Sequence, residues 1–213
     1  MQVQMPDIVD TLWFARKGSG LRYPKAAASR LTQKGVLIRL KQGLYLRSGL
    51  EHDAYALGSA ANRMYGPSYV SFVWALRFYG LIPENVPHIT SATFKKGRSK
   101  RFDTPAGSFF FHDVPPAAYP LSLTFLGDEK RRFLVASPEK ALCDELYLTS
   151  QVRALKEIPA LLFEEMRIDE EQFFSLDREL LCFLAPVYKN TTLHTLIRFL
   201  EKEKSDRSCS TVV

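Results

Sequence analysis

The hydrophobic positions of this chain change period several times, and each change predicts an element. In residues 6–16, PDIVDTLWFAR, the apolar Ile8, Val9, Leu12 and Trp13 fall at i, i+1, i+4 and i+5, which predicts a short helix. Gly18-Ser19-Gly20 ends it. Tyr23-Pro24 opens a second helix, with proline at or near the first helical position, running through KAAASRLTQK to a glycine cap at Gly35. Ala27, Ala28 and Leu31 form its apolar stripe. The period then drops to two. In VLIRLKQGLYLR the apolar Ile38, Leu40, Leu44 and Leu46 alternate with Arg39, Lys41, Tyr45 and Arg47, which predicts two short strands around a turn at Lys41-Gln42-Gly43.

Beyond Ser48-Gly49 the pattern predicts a mixed α/β body. EHDAYALGSAANRMYG reads as an alanine-rich helix ending at Gly66-Pro67. SYVSFVWALRFYG reads as a second, very apolar helix capped by Ser68 and ending at Gly80. Five strand-like runs follow at 88–94, 100–105, 108–114, 121–127 and 131–137, separated by turns, and they predict a mostly antiparallel sheet. Ser137-Pro138-Glu139-Lys140 has the cap, the proline and the first-turn carboxylate of a helix start. Residues 152–204 read as three further helices, with Asp169-Glu170-Glu171 as capping chemistry at a helix start. The stripe Leu193, Leu196, Ile197 and Leu200 suits packing or a dimer partner. The expected class is α+β, with an N-terminal winged helix-turn-helix unit over 1–49, an α/β domain with C-terminal helices over 50–204, and a disordered tail over 205–213.

Charge sharpens this picture. The whole chain of 213 residues carries a net +6. Residues 1–49 alone carry +7 and the loop 95–101, KKGRSKR, carries +5, so the remainder is acidic. A concentrated basic segment is the footprint of nucleic-acid binding. On the second helix Lys25, Ser29, Thr32 and Gln33 share a face, with Arg30 and Lys34 beside it and Arg22 and Tyr23 leading into it. A helix of small residues that presents hydroxyl, amide and cation together can approach a major groove and read base edges. The following hairpin, through Arg39, Lys41, Gln42, Tyr45 and Arg47, would grip flanking phosphates as a wing. The plain alternative is an ordinary αββ packing unit with a solvated outer face. The second patch, Lys95, Lys96, Arg98, Lys100 and Arg101, reads equally as a solvated hairpin tip or as a contact to nucleic-acid phosphates or an acidic partner. No aromatic residue lies within it, and its neighbours Phe94 and Phe102 read as core.

The ordered segments GVLIRLKQGLYL, YGPSYVSFVWALRFYGLIP, HITSATFKKGRSKRFDTPAGSFFFHDVP and VASPEKALCDELYL follow the landmarks of the AbiEi family, and residues 20–150 resemble it. AbiEi proteins are antitoxins and transcriptional regulators of abortive-infection, type IV toxin–antitoxin systems. The resemblance implies operator DNA as a partner, repression of the protein's own operon, and neutralisation of a nucleotidyltransferase-like toxin without a stable complex. A homodimer on inverted repeats and a monomer binding cooperatively to two repeats fit equally well. The alternative is an RNA- or protein-binding module that works through the 95–101 loop.

Other chemistries find little in the chain. Cys143, Cys182 and Cys209 match no disulfide or zinc spacing: the first two read as small buried hydrophobes and the third as an exposed thiol. The four histidines have no paired spacing, so neither a metal nor a cofactor is expected. No phosphate-binding or nucleophile motif occurs. For a nuclease, Asp113 could supply one acid, but Glu139 and Lys140 are adjacent rather than spaced for one strand face, so no catalytic residue is assigned. No apolar run reaches membrane-spanning length, and the first residues lack the order of a signal peptide. A cytoplasmic protein with no membrane partner is the expectation.

Overall fold

The structure, a computed structural model, describes residues 5–17 and 23–210, with the backbone alone for residues 17 and 204–210. The expected turn at 18–20, Arg22, the Cys209 thiol and residues 211–213 lie outside what is described.

The first unit is a strand, two helices and a hairpin. Strand β1 (Ile8–Asp10) leads directly into helix α1 (Thr11–Lys17), followed by α2 (Pro24–Gln33), β2 (Leu37–Lys41) and β3 (Leu44–Arg47). The helix expected over 6–16 is therefore half strand. Ile8, Val9 and Asp10 pair antiparallel with Leu46, Tyr45 and Leu44, giving a three-stranded sheet of order β1-β3-β2. Asp10 ends the strand and accepts the Trp13 N–H through its carboxylate at 2.8 Å, as a cap does. The buried side of α1 is Phe14, while Leu12 is exposed. Helix α2 carries proline in its first turn and ends with Gly35 at φ 70°, where the Gly35 and Val36 N–H groups bond back to Thr32 and Leu31.

The two faces of this sheet have different partners. Val9, Leu37 and Tyr45 pack with Phe14, Ala27 and Ala28 in a small core under the helices. Ile8, Leu40, Leu44 and Leu46 join the main core of the body. Ions reinforce this docking. Asp7, almost fully buried, binds Arg47 at 2.7 Å and Arg131 at 2.6 Å, and Arg131 also reaches Asp53 at 2.5 Å.

The body begins with α3 (Ala54–Met64), capped by the Asp53 carboxylate on Ala56 N–H. Gly58 in this helix lies against the Phe133 ring, where a Cβ would come within 2.7 Å. The helix expected from Tyr69 onward starts later: Tyr69–Val70 is strand β4, and α4 (Phe72–Phe78) follows, with Ser71 rather than Ser68 at its N-cap. A short apolar run fits strand or helix equally by pattern, and here pairing with Ala92, Ser91 and Val135 selects strand. Strands β5 (His88–Thr93), β6 (Lys100–Thr104), β7 (Gly107–Asp113), β8 (Leu123–Leu126) and β9 (Phe133–Ala136) complete a six-stranded sheet of order β6-β7-β5-β4-β9-β8. Three of its pairings are antiparallel, β4 with β5, β6 with β7 and β8 with β9, but the sheet is mixed, because β5 runs parallel to β7 and β4 runs parallel to β9.

Helix α5 (Pro138–Leu148) is capped by Ser137 on Lys140 N–H. Of the three helices expected after it, the first two are broken into shorter pieces and the third forms as one helix. A 3-10 turn (Leu155–Glu157) and a π-helical segment (Ala160–Glu165) precede α6 (Glu170–Ser175), α7 (Arg178–Leu184), a 3-10 segment (Ala185–Tyr188) and α8 (Thr191–Ser210). Asp169 and Asp177 each cap a new start on Gln172 and Leu180 N–H, the local competition by aspartate that interrupts helices. Residues 205–210 continue α8 instead of forming a disordered tail. Leu193, Leu196 and Leu200 of this helix are buried in the main core, which settles that stripe as packing. Cys143 is buried and Cys182 half-buried. No described helix is long and apolar enough to cross a membrane.

Candidate nucleic-acid interface

Helix α2 presents its polar side to solvent. Tyr23, Lys25, Ser29, Arg30, Gln33 and Lys34 are exposed, as is Ala26, whose small side chain leaves room for close approach. Thr32 is half-buried and its hydroxyl donates to the Ala28 carbonyl at 3.0 Å, which commits it to the helix itself. Among the described residues no carboxylate pairs with Lys25, Arg30, Lys34 or Arg39.

The hairpin divides the expected wing residues in two. Arg39 stands opposite Tyr45, on the sheet face that carries α2, and remains exposed beside that helix. Gln42 is exposed in the turn, where Gly43 takes φ 78°. Between Arg39 and Lys41 the register shifts through a bulge, which turns Lys41 onto the other face, opposite Leu44. Its ammonium donates to the Met64 carbonyl at 2.5 Å, at the C-terminus of α3, where a cation complements the helix dipole. Tyr45 is buried under the helices, and Arg47 is held by Asp7. Strict alternation places Arg39, Lys41, Tyr45 and Arg47 together, but the bulge and the packing leave only Arg39 facing outward.

The loop 95–101 is built around one carboxylate. Asp113 accepts the Thr93 hydroxyl at 2.7 Å and the Lys96 and Gly97 N–H groups at 2.7 and 2.8 Å. Glu139 accepts the Asp177 N–H at 3.1 Å. These two carboxylates, weighed above as nuclease acids, thus bind backbone. Lys95 and Arg98 are exposed and, among the described residues, have no ion pair. Lys96 donates to the Gly66 carbonyl at 3.1 Å, with its ammonium 5.1 Å from the Tyr65 ring. Lys100 lies 5.5 Å from the Phe102 ring, and Arg101 pairs with Asp103 at 2.8 Å. Lys41 and Lys96 therefore bind carbonyls two residues apart, and β2 runs beside β6. The two basic stretches of the sequence meet at the C-terminal end of α3.

Comparison of the chain with protein-family models and with curated proteins finds no match.

One polar cluster has little signature in the sequence. Lys140, Asp144, Tyr69, Ser71 and Tyr188 are all buried. Asp144 binds the Lys140 ammonium, the Tyr188 hydroxyl and the Ser71 hydroxyl, each at 2.6 Å, and the Tyr69 hydroxyl at 3.0 Å. The Lys140 ammonium also reaches the Tyr188 hydroxyl. Burial lowers the Lys140 pKa against the opposing pull of Asp144, and burial together with Asp144 raises that of Tyr69. The i, i+4 spacing of Lys140 and Asp144 was the available signal. Sealed from solvent, the cluster joins β4, α5 and the segment before α8. Among the described residues no group of three or more His, Cys, Asp or Glu could hold a metal ion.

Proposed function

We propose that the protein is a DNA-binding transcriptional repressor of winged helix-turn-helix type. In this reading α2 enters the major groove, while Arg39 and Gln42 contact flanking phosphate and β1 is the third strand of the wing sheet. The observation that carries it is the outward face of α2. Lys25, Ser29, Arg30, Gln33 and Lys34 stand exposed with no carboxylate partner for their cations among the described residues, on a helix thin enough to approach base edges. The loop 95–101 extends this surface across the end of α3, with Lys95, Arg98 and Lys100 as further phosphate contacts. The resemblance to AbiEi proteins adds an antitoxin role, in which the operator is the promoter of a toxin–antitoxin operon and the toxin is nucleotidyltransferase-like.

Binding to a duplex from the upstream promoter tests this. Affinity should fall with rising salt, with a log–log slope that shrinks by about 0.9 for each phosphate contact removed. Arg30→Ala with Lys34→Ala should weaken binding about ten-fold or more. Unchanged affinity and slope in that double variant would sink the assignment of α2. The antitoxin role is tested by co-expression with a nucleotidyltransferase-like toxin encoded beside the gene: absence of such a reading frame, or failure to restore growth, counts against it.

A further inference from the structure

The β6–β7 hairpin has two faces, and the DNA reading uses only one. Lys100 stands opposite Phe111 and Phe102 opposite Phe109, on the side of Tyr65 and Lys96. Arg101 stands opposite Phe110, on the reverse side. There the half-buried Phe110 ring has the Arg101 guanidinium 5.1 Å from its centroid and the His88 ring 5.0 Å away, nearly edge-on. Arg101 is more than half exposed, and its ion pair with Asp103 aims it along the strand. Two residues along β7 on the same face, the His112 ring contacts the exposed Ser99 hydroxyl at 3.1 Å. Partial burial holds both imidazoles below their usual pKa, so at neutral pH they are uncharged planar rings with hydrogen-bonding nitrogens.

A row of flat groups on an open strand pair, beside a loop carrying Lys95 and Arg98, has a specific chemical complement. Unstacked bases offer π-faces to an aromatic ring and a guanidinium, while their backbone offers phosphates to the adjoining cations. A duplex hides its base faces, and an acidic peptide needs the cations but not the rings. We propose that the outer face of the β6–β7 hairpin binds single-stranded nucleic acid, with a base stacked on the exposed Arg101 guanidinium that lies over Phe110, beside His88, and the strand continuing over the 95–101 loop.

Fluorescence anisotropy on the full chain tests this, with labelled oligo(U) and oligo(dT) of about twelve nucleotides. Binding of either supports the proposal, and the difference between them reports whether a 2′-hydroxyl is read. Phe110→Leu keeps an apolar side chain of similar bulk and should weaken binding about ten-fold, while Phe110→Trp should retain it. Arg30→Ala with Lys34→Ala should leave it unchanged, which separates this site from the duplex site on α2. The proposal is overturned if neither oligonucleotide binds, if Phe110→Leu binds as the native protein does, or if polyglutamate displaces the oligonucleotide as well as unlabelled oligo(U).

Discussion

Helices α2 and α5 begin alike and end in opposite roles. Each has proline in its first turn, each runs ten or eleven residues, and each carries lysine close behind the proline. Helix α2 packs mainly on α1 and the small sheet, and Lys25, Arg30 and Lys34 remain exposed. Helix α5 is enclosed by α4, α7, α8 and β9, so Lys140 is sealed and must have a partner. Asp144, one turn on, supplies it. The same start signal thus leads to a surface that is free to bind a polyanion or to a satisfied internal network. The number of elements that cover the helix makes the difference.

The largest test of this comparison is Asp144→Ala, which leaves the Lys140 ammonium buried without its counter-charge. Denaturant unfolding should show a loss of about 3–5 kcal/mol. Replacing the pair together, by Lys140→Met with Asp144→Leu, should recover much of that loss. If Asp144→Ala unfolds like the native protein, the cluster is not under electrostatic tension at all. Charge removal on α2 should instead change stability by no more than about 0.5 kcal/mol.

Gly58→Ala comes next. The added carbon meets the Phe133 ring, and overpacking of this kind costs about 1–3 kcal/mol. A variant as stable as the parent would mean that α3 can slide on the sheet. Lys41→Met should cost about 1 kcal/mol through the lost bond to the end of α3, with little change in duplex binding. A large binding defect in that variant would return Lys41 to the wing.

The smallest effect concerns alkaline pH. Burial pushes Tyr79 and Tyr119 up to about 12 from an ordinary value of 10. Between those values the unfolded chain has released protons that the folded chain still holds, so stability falls as pH rises through that window. Tyr79→Phe should flatten part of that fall in urea titrations, and an unchanged slope would show that the hydroxyl is freely solvated.

Much of the small unit was legible because its signals are local. The proline start and Gly35 stop of α2, its alanine stripe and the Gln42-Gly43 turn each depend on a few neighbouring residues. The faces of the β2–β3 hairpin are less legible. Alternation counts residues, so it misses the bulge between Arg39 and Lys41 that turns Lys41 to the other face, and it does not show that Tyr45, still on the face of Arg39, is buried under the helices. The strands at Ile8–Asp10 and Tyr69–Val70 were hidden for a related reason: two or three residues carry no period, and partners far along the chain decide them.

By itself the sequence determined where charge is concentrated, where helices begin and stop, and which segments alternate, since these follow from side-chain chemistry within one or two turns. Only the tertiary structure decided which charges face water. It brought the 95–101 loop to the β2–β3 hairpin through the end of α3, placed Phe110 beside Arg101, and closed four elements over Lys140. Most of those outcomes depend on burial and on contacts between residues tens of positions apart, and even the Phe110–Arg101 contact within one hairpin depends on the register in which β6 and β7 pair.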